Sequence, residues 1–357
     1  MRVKLIIASD STDSDNKVPV DNLLQKLHKN WEHYQLAVTA EDNKNSTAAK
    51  KPLKVIVCVS GGSDSVALLH LLQRQRTLLN LEPHLLHFNH QLRPEADHEQ
   101  DFVHALADQY EIPFHHKTAK HLKSGQSALQ ESAREWRIEE SCRLLKHLGG
   151  GRIATGHQAD DQLETLLLKL LRGTHISNLQ GMQWTNEDFI RPLLNCRKTE
   201  LQEYLKSNQL TWLEDTSNQS TAYLRNRVRL ELIPLLEELT RQGLHSRIND
   251  LSEQSRLLRE FLDSDYKSWQ QNHKNSAANS QDVLPVKILK QANDLLQQEI
   301  LHNFITARTG QALSFRKLQN IIIQLRTGSN LWEMHLSQKW KICKSGEELC
   351  LQQNQQP

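Results

Sequence analysis

Between residue 53 and about residue 240, short apolar runs alternate with segments in which apolar residues are spaced as on one face of a helix. Short apolar runs predict buried strands, and they fall at 53–59, 84–88, 112–117, 152–155 and 189–194. The segments between these runs carry apolar residues every three or four positions, which predicts helices. Strands that alternate with helices predict a parallel sheet with helices on both of its faces.

The chain before this region is mostly polar. Residues 1–20 predict a disordered extension, and residues 21–38 return to helical spacing. The stretch TAEDNKNSTAAKKP at 39–52 predicts a linker or a mobile loop. We therefore expect the ordered α/β domain to begin near residue 21.

The chain after this region is mainly helical at first. Helical spacing continues to residue 269, and residues 270–282 predict a second linker. Two helices, at 295–306 and at 315–325 with Ser314 as its cap, then precede strands at 331–336, 340–344 and 348–351, with KSGE as the last hairpin turn. The predicted division is an extension at 1–20, an α/β domain at 21–240, a helical linker at 241–282 and a small α+β domain at 283–357.

Composition limits the classes of function. A chain of 357 residues can form two domains, and its net charge of +2 gives no general affinity for polyanions, so any basic patch must be local. No apolar run approaches ~18 residues, so we expect neither a membrane span nor a signal peptide. The five cysteines form no C-x-x-C pair, which favours reduced thiols in a cytoplasmic protein.

The sequence SGGSDS at 60–65 follows the first predicted strand and opens a leucine-rich helix. Gly61 and Gly62 allow a close approach that side chains would block, and the N–H groups opening the helix near Val66 favour an anion. Ser60, Ser63 and Ser65 supply hydroxyl donors. We predict that this loop binds a pyrophosphate group without the lysine of an ordinary phosphate-binding loop.

A plain structural interpretation of the same loop is a capped helix. Ser63 or Asp64 would then be the N-cap residue. Capping alone does not require two consecutive glycines after an apolar strand, so we favour phosphate binding.

The segment HLLHFNHQLR at 84–93 is rich in histidine. Zinc binding is the weaker interpretation, because His84 and His87 would lie on opposite faces of a strand and no cysteine is near. We expect instead that Asn89, His90 and Arg93, at the carboxyl edge of the sheet, face the nucleotide or the RNA.

Arginines recur in two further segments. Arg134 and Arg137 lie within one turn of a predicted helix, where they form either a solvated basic face or a clamp on phosphate. Arg225, Arg227 and Arg229 precede another helix, where they form either a structural cluster or contacts to a phosphate backbone.

Acidic residues open the helix after the fourth predicted strand. Asp160 and Glu164 lie along the edge of its apolar stripe, and Asp161 points farther out. Carboxylates in a first turn stabilise a helix through its dipole alone. With His157, however, they cluster where the phosphates are expected, so they can bind Mg²⁺ together with Asp64 or accept a proton from a nucleophile. Asp64 and Asp160 are the predicted metal ligands.

The apolar stripe of that helix is predicted from five leucines. They recur at helical spacing on one face: Leu163, Leu166, Leu167, Leu170 and Leu171.

Taken together, these segments resemble the PP-loop ATP pyrophosphatases, and within them the bacterial tRNA(Ile)-lysidine synthetases. The matching segments are SGGSDS at 60–65, HFNHQLR at 87–93, AREWR at 133–137, TGHQADDQLETLLLKLLRG at 155–173, RPLL at 191–194, and EDTSN with YLRNRVR at 214–229. The resemblance covers about residues 53–240 and is weaker from about residue 283. It departs at Gln158, where members often have a second histidine, and at the N-terminal extension, and the second C-terminal module of longer members is expected to be absent.

The resemblance implies an adenine nucleotide alpha hydrolase-like, Rossmann-like domain that uses ATP and Mg²⁺. ATP would adenylylate the C2 carbonyl oxygen of the wobble cytidine in an isoleucine tRNA with a CAU anticodon. The amine of lysine would then displace AMP. The implied catalytic residues are His157, Asp160, Asp161, Glu164 and Arg134.

Three questions remain open at this stage. A tRNA-thiolating enzyme of the same superfamily is one alternative function, and a non-catalytic nucleotide-binding module is another. The oligomeric state is open as well, with a homodimer as one alternative. The role of each carboxylate cannot be separated from sequence alone.

Overall fold

The structure is a computed structural model that describes residues 20–38, 51–91, 96–119, 129–173, 176–214, 224–241, 243–273, 283–311 and 313–354. The chain divides into two compact units. The first unit contains Met1–Thr165 and Gly181–His245, and the second unit contains Leu166–Gln180 and Ser246–Pro357. The predicted extension at 1–20 lies almost wholly outside the described residues, as does most of the linker predicted at 39–52.

The first unit contains a six-stranded sheet in the order β3-β2-β1-β4-β6-β5. All neighbouring strands are parallel except the short β5–β6 hairpin. The strands are β1 Leu53–Cys58, β2 Leu81–Asn89, β3 Phe114–Thr118, β4 Arg152–Ala154, β5 Thr185–Asn186 and β6 Phe189–Ile190. The predicted parallel α/β fold is confirmed.

Helices connect these strands. They are α1 Val20–His33, α2 Ser63–Arg74, α3 Ala96–Gln109, α4 Leu129–His147, α5 Ala159–Leu171, α6 Lys198–Ser207, α7 Leu224–Arg227 and α8 Ile233–Thr240. The strands bury alternate residues on opposite faces: Val55 and Val57 of β1 pack in one core cluster, and Ile56 packs in another with Leu144 and Leu145 of α4. Both faces of the sheet are therefore covered.

Several predicted elements differ at their ends. The strand predicted at 189–194 ends at Ile190, two residues before Pro192, which has no N–H to donate to a neighbouring strand. The helix predicted over 21–38 ends at His33, and Gln35 then turns the chain with a φ of 50°. The predicted leucine stripe of α5 also ends early, because Leu170 and Leu171 are 44% and 58% exposed.

The helical region predicted from 230 to 269 is divided into three parts. A π-helical turn at Val228–Leu232 precedes α8, because Pro234 cannot donate a helical hydrogen bond; the N–H of Ile233 reaches back to the carbonyl of Val228. Arg241, in a left-handed conformation, ends α8. Helix α9 then runs over Leu244–Asn272, into the segment predicted as a linker. Most of that segment, 274–282, lies outside the described residues, so the domain boundaries stay predictions.

The second unit has a four-stranded antiparallel sheet in the order β7-β10-β9-β8. Its further elements are β7 Val283–Pro285, α10 Val286–Gln291, α11 Asp294–Thr309, α12 Phe315–Thr327, β8 Leu331–His335, β9 Trp340–Ser345 and β10 Glu348–Gln353. Gly346, with a φ of 60°, turns the predicted last hairpin, in which Ser345 pairs with Glu348. Ser314 begins α12 as predicted, but its side chain makes no capping hydrogen bond.

A membrane span was not expected from the sequence. Across the described residues, the structure contains no helix that combines the length and the apolar character needed to cross a bilayer.

Candidate active site

The glycine loop between β1 and α2 is folded around Ser65. The Ser65 hydroxyl donates to the Gly62 carbonyl at 2.9 Å and accepts from the Ser60 N–H at 3.2 Å. Helix α2 begins at Ser63, three residues before the predicted Val66, and its N-cap residue is Gly62. No side chain caps this helix, so the predicted capping by Ser63 or Asp64 is wrong. A helix start without a side-chain cap suits an anion.

The two glycines of the loop differ. Gly61 has a φ of 90°, and a Cβ on it would lie 2.9 Å from Cδ1 of Leu213. Gly62 has an ordinary φ of −73°, and a Cβ there would come no closer than 3.7 Å to the Ser60 hydroxyl oxygen. Only Gly61 therefore needs to be glycine for its own backbone.

A third glycine, Gly156, brings the chain after β4 against this loop. A Cβ on Gly156 would lie 3.1 Å from backbone atoms of Asp64 and Ser65. The close approach places the residues after β4 beside the start of α2. Sequence reasoning gave Gly156 no role, although it directly follows the strand predicted at 152–155.

Asp64 is partly buried at the start of α2. Its carboxylate accepts a hydrogen bond from the Ser63 hydroxyl at 3.0 Å. Burial raises the pKa of Asp64, and the nearby charge of Asp160 raises it further, while Lys198 and the Ser63 bond lower it. The negative charge of Asp64 is thus incompletely compensated by its neighbours.

Asp160 has both carboxylate oxygens engaged. Oδ2 accepts the backbone N–H of Lys198, the first residue of α6, at 2.8 Å, and Oδ1 lies 2.8 Å from Nε2 of His245. The other ring nitrogen of His245 is 3.1 Å from Glu237. Burial raises the pKa of Asp160, but the His245 and Lys198 hydrogen bonds outweigh it, and the pKa is lowered. Asp160 therefore ties α5 to α6 and to the start of α9.

Asp161 is more buried than Asp160. Its side chain is 15% exposed against 27% for Asp160, so the prediction that Asp161 points farther out is wrong. Its Oδ1 lies 3.5 Å from Arg225 and 3.7 Å from Arg229, whose side chains cover it. Burial raises the pKa of Asp161 to about 6, helped by the charges of Glu164 and Asp64.

Glu164 is fully buried and holds two arginines. Nε of Arg225 donates to Oε2 at 2.8 Å, and Nε of Arg229 donates to Oε1. Arg227, between them in sequence, pairs instead with Glu231 one turn along at 3.0 Å. The three predicted arginines therefore do not form one cluster.

His157 lies just after β4, among positive charges. Its Nδ1 is 2.8 Å from the Thr155 hydroxyl. Burial is the main cause that lowers the pKa of His157 to about 4, and the charges of four arginines contribute to the same shift: Arg191, Arg225, Arg137 and Arg134. At neutral pH His157 is therefore an uncharged imidazole near these arginines.

The predicted arginines of α4 take different positions. The Arg134 side chain is 61% exposed and pairs with Glu131 at 3.2 Å. Burial lowers the pKa of Arg137, and the charge of Arg134 lowers it further. Both act electrostatically on His157, which places the α4 arginines around the carboxyl end of β4.

Two of the three polar residues predicted at the end of the histidine-rich strand lie within the described residues. Asn89 is buried, and its amide donates to Asp97 at 3.0 Å and to Gln100 at 3.3 Å, so it holds α3 to β2. His90 packs edge-on against Trp136. Arg93 lies outside the described residues.

Metal binding by histidines finds no support in the described part of the chain. His87 contacts the Val59 carbonyl at 2.9 Å, and His84 contacts His115 and Glu82. No group of three or more potential metal-ligating side chains occurs among the described residues.

Sequence reasoning missed three residues of this region. Lys198 and Arg191 act electrostatically on Asp64 and His157, and His245 binds Asp160. Arg191 opens the RPLL segment, which was the one available signal. Nothing in the sequence marks Lys198 or His245, because each reaches the site from a separate helix.

A protein-family model described as a PP-loop domain matches residues 33–236. The tRNA(Ile)-lysidine synthase of Enterococcus faecalis is 31% identical over 313 residues, which cover 84% of this chain and 66% of that protein. The tRNA(Ile)-lysidine synthase of Clostridium tetani is 34% identical over 61% of this chain and 48% of that protein. The tRNA(Ile)-lysidine synthase of Chlorobaculum tepidum is 35% identical over 58% of this chain and 64% of that protein. The chain thus spans about half to two thirds of the length of these relatives.

Among solved structures, the U34-tRNA thiolase NcsA from Methanococcus maripaludis with its 4Fe-4S cluster is similar. Its TM-score is 0.51 at 15% sequence identity, over 68% of this chain and 78% of that one. At this identity the similarity concerns the fold alone.

Proposed function

The chain belongs to the PP-loop domain family, and from that premise we propose that it is an ATP-dependent ligase that joins lysine to C2 of the wobble cytidine in an isoleucine tRNA with a CAU anticodon. ATP adenylylates the C2 carbonyl oxygen and releases pyrophosphate. The lysine amine then attacks C2, and AMP leaves. The relatives that the chain resembles over much of its length are named for this product.

One observation carries the proposal: Gly156 packs the chain that leads into α5 against the backbone of Asp64, where a Cβ would lie at 3.1 Å, and the acidic first turn of α5 follows directly. Asp64 raises the pKa of Asp161, and Asp160 raises the pKa of Asp64. A nucleotide held by the loop therefore has carboxylates at the place where an amine must arrive. A simple nucleotide-binding module does not need such an arrangement.

The glycine loop binds the phosphates of ATP. The start of α2 has no side-chain cap, and its N–H groups and the dipole of the helix favour negative charge. Pyrophosphate leaves as one unit, so the loop needs no lysine directed at a terminal phosphate.

Mg²⁺ fits at Asp64 and not at Asp160. The Asp64 carboxylate is partly buried and its charge only partly compensated, whereas both oxygens of Asp160 already have partners. When bound, the ion would neutralise charge on the phosphate oxygens. Asp64 would supply the protein ligand, and phosphate and water oxygens would supply the others.

Asp161 is the carboxylate that we assign to the lysine amine. Lysine in water is protonated, so it must lose a proton before it attacks. With a pKa of about 6, Asp161 is ionised at neutral pH and binds an ammonium group or accepts its proton. Glu164 holds Arg225 and Arg229 over Asp161 through its own two bonds. These roles separate the carboxylates that sequence left together.

The arginines around His157 are assigned to the adenylylation step. Arg137, Arg134 and Arg191 stabilise negative charge that develops at the α-phosphate. Neutral His157 offers a hydrogen bond to the base or the phosphate without adding charge.

Binding of the tRNA body is assigned to Arg227 and to the chain beyond residue 240. Arg227 is exposed and lies outside the Glu164 cluster. Several basic side chains of the second unit already have partners: Arg326 pairs with Asp294, and Lys341 pairs with Glu333 at 2.6 Å. The contacts that position tRNA are therefore expected from a few residues, consistent with the net charge of +2.

The test is a single incubation of the protein with ATP, the isoleucine tRNA transcript and radiolabelled lysine. The proposal predicts label on the RNA and AMP in equal amounts. The Asp161→Asn variant should give neither labelled RNA nor a normal rate of turnover. AMP without labelled RNA, in a reaction that requires a sulfur donor, would instead indicate thiolation, and no AMP would indicate a binding module.

A further inference from the structure

Gln158 is the residue that immediately precedes α5, and only 2% of it is exposed. Its side-chain Oε1 accepts the backbone N–H of Asp160 at 2.6 Å. Its own backbone N–H donates to Oδ2 of Asp161 at 3.1 Å. The side chain of the N-cap residue thus binds the backbone of the second helical residue, and the carboxylate of the third helical residue binds the backbone of the N-cap, in a variant of the capping box.

The cap leaves little of the α5 N-terminus available to a ligand. The N–H of Ala159 donates to the Cys196 carbonyl at 2.8 Å, and the N–H of Gln162 donates to the Gln158 carbonyl at 3.2 Å. With Asp160 bound to the Gln158 side chain, the opening N–H groups named here all have partners within the protein. Helix α2, by contrast, begins without a side-chain cap. An anion is thereby directed to α2 rather than to α5.

The cap also orients the Asp161 carboxylate. Because Oδ2 is held by the Gln158 N–H, Oδ1 is the oxygen turned toward Arg225 and Arg229, at 3.5 and 3.7 Å. A rotation of this carboxylate would exchange the two oxygens and break the cap. Gln158 and Asp161 therefore fix each other.

We infer that Gln158 is a positioning residue for the reaction: its buried side chain locks the first turn of α5 and so holds the Asp161 carboxylate in the orientation that receives the lysine amine. The inference rests on the proposed function for the identity of the amine. The residue types that usually cap helices are short, whereas a glutamine reaches the N–H of Asp160 while its amide stays buried.

The test compares two glutamines of the same helix. Gln158→Met keeps the length of the side chain and removes the acceptor. Gln162→Met is the matched control, because Gln162 also makes two hydrogen bonds with its side chain, both to the backbone of Met182, and contacts neither Asp160 nor Asp161 in the described set of bonds. Both variants should lower the melting temperature by a few degrees.

The two variants should differ in catalysis. Displacement of a reacting group by ~1 Å can reduce a rate on the order of 100-fold. Gln158→Met should therefore lower lysine transfer to adenylylated tRNA at least about tenfold, or raise the KM for lysine by that factor, with the KM for ATP unchanged. Gln162→Met should have wild-type values for folded protein. Gln158→Glu, which restores an acceptor at the same reach, should recover part of the loss.

The outcomes are distinct. Wild-type lysine kinetics in Gln158→Met, or an equal loss in Gln162→Met, would overturn the positioning role. Failure of the wild-type protein to label tRNA would reject the proposed function instead. Hydrogen exchange of the Asp160 amide, which should quicken in Gln158→Met and not in Gln162→Met, tests the cap without any activity assay.

Discussion

Each unit of this protein contains a buried glutamate bound by arginine, and the two glutamates have different surroundings. In the second unit, Glu299 accepts from Arg259 at 2.6 and 3.0 Å and from Asn303 at 2.7 Å. Arg259 also binds Asp263. In the first unit, Glu164 binds Arg225 and Arg229, but Asp161 and Asp64 lie beside the pair with raised pKa values.

The difference lies in how charge is compensated. The Glu299 network joins helices α9 and α11 and satisfies its members, so it serves stability. The Glu164 network leaves carboxylates that burial makes reluctant to ionise and a histidine that burial keeps neutral. Groups with shifted pKa values at the edge of a parallel sheet are typical of active sites.

The largest predicted effect separates these two glutamates. Glu164→Gln should lower lysidine formation by orders of magnitude, because Arg225 and Arg229 lose the group that holds them over Asp161. It should also cost up to about 3 kcal/mol of unfolding free energy, less than a fully buried pair because both arginines are partly exposed. The labelled-lysine assay and urea denaturation measure the two effects.

Glu299→Gln is the control for this comparison. It should lower the melting temperature while the activity of folded molecules stays at the wild-type level. Equal loss of specific activity in both variants would show that the Glu164 cluster has no special part in catalysis.

The next effect concerns two glycines with positive φ, one in each unit. Gly346→Ala in the last hairpin should cost ~1–2 kcal/mol of unfolding free energy from backbone strain alone, because no atom lies within 4 Å of the added methyl group. Gly61→Ala adds a clash with Leu213 at 2.9 Å and distorts the phosphate-binding loop. It should be less stable than Gly346→Ala and bind ATP poorly. Isothermal titration calorimetry measures the affinity for ATP. A normal affinity in Gly61→Ala would contradict the role of this loop in phosphate binding.

The sequence predicted those features that depend on local pattern. Short apolar runs between helically spaced segments located β1 to β4, and the two glycines with their flanking serines located the loop between β1 and α2. The family resemblance included the motifs of both Glu164 and Arg229, but it did not predict that the two side chains contact each other. These two residues are 65 positions apart, and no periodicity reports such a pairing.

The error at Asp161 has the same origin. A helical wheel places each residue relative to its own helix and predicted Asp161 at the outside. In the fold, Arg225 and Arg229 come from a later segment and cover that side. Likewise, the sequence marks Gln158 only as a departure from the family pattern, because its hydrogen bonds depend on the geometry at the start of α5.

A smaller effect is the pH dependence of stability in the first unit. His157 has a folded pKa of about 4 and an ordinary value of 6.5, so the unfolded state binds more protons between these values and stability rises with pH. Asp161 has a folded pKa of about 6 and an ordinary value of 3.8, so the folded state binds more protons and stability falls with pH. The two slopes oppose each other between about pH 4 and 6.

Removing one group should expose the other. Asp161→Asn should show unfolding free energy that rises more steeply from pH 4 to 6.5 than in the wild type, and His157→Gln should show the reverse trend. Urea denaturation at several pH values measures both slopes. Slopes in both variants that superimpose on the wild type would contradict the pKa shifts.

The smallest effect distinguishes two arginines, exposed Arg227 and partly buried Arg256, which each pair with acidic residues three or four positions away. Arg227 has one partner, Glu231 at 3.0 Å, whereas Arg256 of α9 has two, Glu253 at 2.6 Å and Glu260. One carboxylate neutralises the positive charge of Arg227, whereas two carboxylates give the surroundings of Arg256 a net negative charge. Arg227 is therefore the better contact for a tRNA phosphate. Arg227→Ala should reduce the slope of log affinity against log salt by about 0.7–0.9, with melting temperature and KM for ATP unchanged. Arg256→Ala should leave the slope at its wild-type value. Filter binding of the tRNA at several salt concentrations decides between them, and equal slopes for both variants and the wild type would move tRNA recognition away from Arg227.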